Sequence, residues 1–170
     1  MPIRAYRSGD LDRLYAINQF STPGVSSETR ESLEKWIGLS TAFVAEDEHG
    51  IPKGFLTLVE LGIDAYESAN LRWFEARQTR DGGDTIYVDR IAIDPEARGQ
   101  HIGEQLYHHA FDAFKHRREI GCEVNISPPN PGSQRFHERM GFRQIGERSY
   151  DHGRKSVGYW VRPLGAHPCR

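Results

Sequence analysis

Cysteine is scarce in this chain of 170 residues, which has only Cys122 and Cys169. The first sits in a strand-like run and the second close to the C-terminal end, so no disulfide framework is expected and a reducing, cytoplasmic setting fits best. Long apolar runs are missing too: no stretch approaches the roughly 18 apolar residues that a membrane-spanning helix needs. The opening MPIRAYRSGD is polar and lacks the apolar segment of a secretory leader. With a net charge of -2, the chain has no global positive field of the kind that non-specific nucleic-acid binding requires. Its eight histidines are scattered, and the adjacent His108 and His109 would point to different faces of a helix, so no metal site is expected. Neither G-x-x-x-x-G-K-[ST] nor G-x-G-x-x-G occurs, which excludes the two common glycine-rich nucleotide loops.

What is present fits one folding unit. Hydrophobic residues make up 37% of the chain, enough for a core of ordinary size in one domain spanning 1–170. Charge is unevenly spread: residues 134–170 hold 8 Lys/Arg against 3 Asp/Glu, whereas residues 1–83 hold 9 against 13. That basic end either helps attract a polyanionic ligand or is a solvated surface.

Ile3 to Tyr6 reads as a strand. Ser8 and Asp10 are candidate caps for a helix carrying Leu11, Leu14, Tyr15 and Ile17. STPGVSS breaks that helix, and a second one runs from about Ser27 to Gly38. A hairpin follows, then an unusually long connection over 62–83 that is neither strand-like nor low in complexity. Thr85 to Ile93 is the strongest strand, a helix begins near residue 100, and Cys122 to Ile126 is another strand. A short helix from Ser133 to Met140 and a final hairpin complete the chain. This order predicts an α/β fold with a mixed sheet and helices on both faces.

Ile91 to Gly103, IAIDPEARGQHIG, is a strand, a tight turn and a helix N-terminus. Unpaired amides and the positive end of a helix dipole then meet at one point, which suits a pyrophosphate. Gly99 and Gly103 let the backbone approach such a ligand closely. Further on, Phe136-His137-Glu138-Arg139-Met140-Gly141-Phe142 follows Asn130, which sits seven residues before His137.

Taken together these two segments resemble the GNAT acetyltransferases, whose motif A reads R/Q-x-x-G-x-G/A and whose later motif reads F-Y-x-x-x-G-F. The resemblance covers residues 85–142. It implies a central, mostly antiparallel sheet of six to seven strands in which the fourth and fifth strands splay apart. It also implies acetyl-CoA as the donor. The backbone of Ile91, Ala92 and Ile93 would pair with the pantetheine arm, and Arg98, Gly99, Gln100, His101, Ile102 and Gly103 would hold the pyrophosphate, with Asn130 and Ser133 alongside. Two positions depart from the pattern. His101 stands where a glycine is usual, which a helical backbone with an outward side chain would tolerate, and His137 stands where a tyrosine is usual. Asn130-Pro131 also reads as a simple helix cap.

Acetyl transfer to an amine needs a base, because a free alkylamine is protonated at pH 7. Tyr87, Asp89 and Ile91 share a strand face by alternation, which makes Asp89 a candidate base; Glu123 on the next strand is a second. Either carboxylate is equally readable as an ion-pair partner of Arg90 or Arg117. His137 reads as an acid for the departing thiolate or as a packing residue. The acceptor pocket is expected from STPGVSS, the 62–83 connection and the last hairpin, lined by Tyr66, Trp73, Phe74, Tyr87, Tyr150 and Trp160, although Tyr66, Trp73 and Phe74 also read as aromatics that cover core. The expected activity is transfer of an acetyl group to a primary amine of a small molecule, amino acid or peptide, by direct attack in a ternary complex. Neither nucleic acid nor membrane is expected as a partner, and the resemblance allows a homodimer. A non-catalytic acyl-CoA-sensing or partner-binding domain is the alternative, and a nucleic-acid binder using the basic C-terminal region is a third.

Overall fold

A computed structural model describes residues 1–165. Cys169 lies outside them. Seven strands form one sheet in the order β1-β2-β3-β4-β5-β7-β6. They are β1 Ile3–Ala5, β2 Thr41–Glu46, β3 Pro52–Glu60, β4 Thr85–Ile93, β5 Glu119–Ser127, β6 Arg143–Tyr150 and β7 Lys155–Pro163. Only β4 and β5 pair in parallel. The helices are α1 Leu11–Phe20, α2 Arg30–Gly38, α3 Ala69–Asp81, α4 Ile102–Ala113 and α5 Pro131–Arg139. No helix among the described residues is long and apolar enough to cross a membrane.

Both faces of the sheet are covered, as the order of elements predicts. On one face α4 buries Ile102, Leu106, Tyr107 and Ala110 against Leu56, Leu58, Ile86 and Val88. On the other, α1 and α2 bury Leu14, Ile17, Leu33 and Ile37 against Val44 and Phe55, and α3 packs Leu71 and Phe74 against Tyr87, Tyr159 and Val161. Burying a large aliphatic or aromatic side chain contributes about 1.5–3 kcal/mol, so these stripes are what press the helices on.

Several local expectations are corrected. Neither Ser8 nor Asp10 caps α1 through its side chain. Asp10 instead accepts from Arg4 Nη1 at 2.7 Å, Arg4 Nη2 at 2.9 Å and the Arg7 amide at 2.8 Å. The second helix starts at Arg30 because the Thr29 hydroxyl accepts from the Ser32 amide at 3.1 Å and closes its first turn. The 62–83 connection holds a 13-residue helix, α3, capped by Ser68, which accepts from the Leu71 amide. Its buried residues are only Leu71 and Phe74, a stripe too thin to register as helical periodicity.

Candidate active site

The site is a fork in the sheet. β4 and β5 share three rungs, Thr85↔Glu119, Ile86↔Ile120 and Tyr87↔Gly121, and then part. β4 continues along β3 to the Gly54↔Ile93 pair, while β5 follows β7 to Ser127↔Ser156. A cleft of about 1150 Å³ opens beyond the last rung. Along it, the β4 edge from Val88 to Ile93 has no strand partner on its β5 side. That leaves backbone donors and acceptors for an extended ligand.

Register explains a second feature. Leu58 pairs with Val88 but Thr57 pairs with Arg90, so Asp89 is an extra residue, a bulge. The bulge inverts the alternation. Ile91 and Ile93 pack with Ile86 and Val88 on the α4 face, whereas Ala92 faces α1 and Tyr87 faces α3. The expectation that Tyr87, Asp89 and Ile91 share a face is therefore overturned, since simple alternation holds only in an unbroken ladder.

At the outer end of the cleft, Gly99 (φ 78°) and His101 (φ 59°) both adopt left-handed backbone and turn the chain into α4. His101 is thus left-handed rather than helical, contrary to the expectation from the sequence. Its imidazole does point outward, with Nδ1 3.0 Å from Glu104 Oε2, and histidine is one of the side chains enriched at positive φ. The first-turn amides of α4 have no partner within the helix. A Cβ on Gly103 would come 3.2 Å from Phe136 Cζ, so this position is held to glycine by the α4–α5 contact. Arg98, Gly99, His101, Ile102 and Gly103 line the cleft, as do Ile91, Ala92, Ile93, Asn130 and Ser133, whereas Gln100 is exposed and outside its lining. Arg98 is exposed and makes no ion pair among the described residues. The cap reading of Asn130 is realised: its Oδ1 accepts from the Ser133 amide at 3.2 Å.

The three candidate reactive groups have different surroundings. Asp89 Oδ2 accepts from Arg90 Nε at 2.9 Å. Arg90 is buried and also donates to Asn18 Oδ1 at 2.9 Å and Glu28 Oε1 at 3.1 Å, so Asp89 and Glu28 share one cation. Arg117 pairs with Glu60 and Asp84 instead. Glu123 has no cation. Its carboxylate accepts from the Tyr87 hydroxyl, and burial, then the negative charge of Asp89, push it up to about 8.

His137 is 4% exposed, and both ring nitrogens are engaged. Nδ1 lies 2.8 Å from the Ser133 carbonyl, which can only accept, so Nδ1 carries the proton and Nε2 accepts from the Tyr107 hydroxyl at 2.9 Å. Burial lowers its pKa and keeps it neutral.

Four expected acceptor contacts lie elsewhere. Phe74 and Tyr87 are fully buried in the α3 core, and Trp73 stacks on Tyr159 with ring centroids 3.9 Å apart. Trp160 alternates with Tyr159 and packs beneath α4. Their places are fixed by partners distant in sequence: Phe74 fills the space above Gly121 and Trp73 that above Gly146. Tyr66, Tyr150 and the Ser21 to Ser27 segment do line the cleft, joined by Trp36, Asn70 and Tyr107, which sequence reasoning missed. Tyr107 had a signal, since it stands one helical turn after Gly103 on the same stripe.

A seven-stranded sheet parted at its one parallel pair, with a helix N-terminus set at the opening, defines an acyltransferase-type α/β fold. The ribosomal-protein-S18-alanine N-acetyltransferase of Escherichia coli superposes with a TM-score of 0.72 at 17% identity, over 98% of this chain and 96% of that one. A phosphinothricin acetyltransferase of Sinorhizobium meliloti in complex with AcCoA superposes with a TM-score of 0.69 at 20% identity, covering 99% and 93%. In sequence, residues 11–142 match the acetyltransferase (GNAT) family, and the chain belongs to that family, whose acyl donor is acetyl-CoA. The phosphinothricin N-acetyltransferase of Streptomyces coelicolor is 37% identical over 70 residues, 41% of this chain and 40% of that protein. The L-2,4-diaminobutyric acid acetyltransferase of the same organism is 31% identical over 117 residues, covering 66% and 58%. The chain therefore spans less than two thirds of the length of these relatives.

Proposed function

We propose that this protein transfers an acetyl group from acetyl-CoA to a primary amine of a small molecule, amino acid or peptide, by direct attack in a ternary complex, with Glu123 as the base. The observation that carries the proposal is the position of Glu123: an unpaired carboxyl just beyond the fork, in the same cleft as the α4 amides. The residues fit the coenzyme. The unpaired β4 edge suits an extended pantetheine arm, and Arg98 with the amides of Gly99, His101, Ile102 and Gly103 suits the pyrophosphate. When bound, the coenzyme supplies an acyl group activated as a thioester.

The remaining work falls to this chain. An acceptor enters between the Ser21 to Ser27 segment, Trp36, Tyr66 and Tyr150, and its ammonium must lose a proton before it can attack. Glu123 takes that proton. Its affinity near neutrality matches the task better than an ordinary carboxylate, which would bind the proton too weakly. Asp89, held by Arg90, supplies the negative charge that raises Glu123. Tyr66 is 2% exposed and its hydroxyl has no partner among the described residues, which leaves it available to an acceptor. The protein acts in the cytoplasm on this proposal, where a buried free thiol such as Cys122 stays reduced.

Thiol release measured over a panel of amines tests the proposal. Release dependent on an amine and lost in Glu123→Gln supports it; tight acetyl-CoA binding without release for any amine would establish the acyl-CoA sensor instead.

A further inference from the structure

Tyr87 stands on the last rung shared by β4 and β5, and Glu123 lies two residues past that rung on the departing strand. The Tyr87 hydroxyl bridges the fork to donate to Glu123 Oε2. Fully buried among Phe74 and Tyr159, the Tyr87 ring is locked in place. It is a fixed donor and has no room to follow a substrate.

A second arm comes from α3. Asn70, in its first turn, lines the same cleft as Glu123. The Tyr159 hydroxyl donates to Asn70 Oδ1 at 3.0 Å. With that oxygen engaged, the amide has only its NH₂ to turn toward Glu123. The helix is seated firmly: a Cβ on Gly121 would come within 2.6 Å of Phe74 Cε1, and one on Gly146 within 2.6 Å of Trp73 Cζ2. Tyr87 and the helix that carries Asn70 therefore both sit on rigid parts of the fold.

We infer that Tyr87, and Asn70 oriented by Tyr159, are positioning residues that hold the Glu123 carboxylate in one orientation at the head of the cleft. The inference rests on the reading of Glu123 as the base. Its physical content is that a half-buried carboxyl under the negative charge of Asp89 favours its protonated form, and a protonated base accepts nothing. Donors aimed at the ionised form oppose that bias.

Side-chain carboxyl carbon NMR on the ligand-free protein tests the inference, with Glu123 titrated in wild type, Tyr87→Phe, Asn70→Ala and Tyr159→Phe. The Glu123 midpoint is expected to rise by about one pH unit in Tyr87→Phe, the size expected for losing one hydrogen bond to a charged group. A smaller rise is expected in the other two. The low-pH limb of kcat should move the same way while the acetyl-CoA KM stays put. Midpoints unmoved in Tyr87→Phe and Asn70→Ala overturn the inference, and if Tyr87→Phe does not fold, Asn70→Ala and Tyr159→Phe decide it alone. A shifted midpoint in a protein whose Glu123→Gln variant keeps wild-type kcat leaves the positioning intact and removes Glu123 as the base.

Discussion

Tyr107 donates to His137 across the buried contact between α4 and α5, at 2.9 Å, and so ties the two helices together. The histidine is a structural link at the cleft wall, with both ring nitrogens engaged. His137→Ala is expected to destabilise the fold by about 2–3 kcal/mol, as loss of a buried, hydrogen-bonded ring does. Because burial lowers the folded-state pKa, the unfolded chain takes up a proton below about pH 6.5 that the folded protein refuses. Wild type should lose stability between pH 7 and pH 5, and His137→Gln should show a flatter dependence in urea unfolding.

Glu123→Gln is expected to lower kcat by roughly 10²–10³-fold, within the range for a general base. Its folded pKa is raised to about 8, so the folded state holds a proton that the unfolded state has released. Stability from this group is full below the unfolded value and falls as pH climbs to 8, so the variant should gain on wild type at pH 9 compared with pH 5.

Asp89→Asn removes the charge that raises Glu123. The low-pH limb of kcat/KM is expected to move downward, the opposite of the shift in Tyr87→Phe. A limb that stays in place would detach Asp89 from the base.

Gly103→Ala forces a contact of 3.2 Å on Phe136 and should push α4 away from α5. Calorimetry with CoA is expected to show affinity weakened by about tenfold or more, given the sensitivity of packed interiors to one added methyl group. Absence of any CoA heat with well-folded wild type would sink the cofactor assignment itself.

Tyr66→Phe separates binding from stability. Removing a buried hydroxyl with no partner should leave the melting temperature unchanged or raise it, because such a group costs about 1–3 kcal/mol. The acceptor KM should rise. A falling melting temperature with an unchanged KM would make Tyr66 a plain core residue.

Much of this was legible in the sequence because it is local. Thr85–Ile93 is a β-branched run ended by Asp94-Pro95, and Arg98, Gly99 and Gly103 mark the turn into α4 that lines the cleft. The parts that escaped are set by distant partners. Trp73 and Phe74 read from sequence as either core cover or ligand contacts, and only Gly146 and Gly121, far along the chain, decide for the core by receiving them. The thin stripe of α3 hid a helix that its Ser68 cap and its sheet contacts stabilise. His137 reads as titratable from its residue type alone; only the Ser133 carbonyl and the Tyr107 hydroxyl settle its tautomer.

The extra residue at Asp89 makes β4 a strand whose two halves look in opposite directions. Deleting Asp89 would remove the bulge and leave Arg90, Ile91, Ala92 and Ile93 opposite their present β3 partners. The strand carries one residue of slack at this point, so losing it would straighten the edge of the cleft without exchanging which side chains reach the α4 layer.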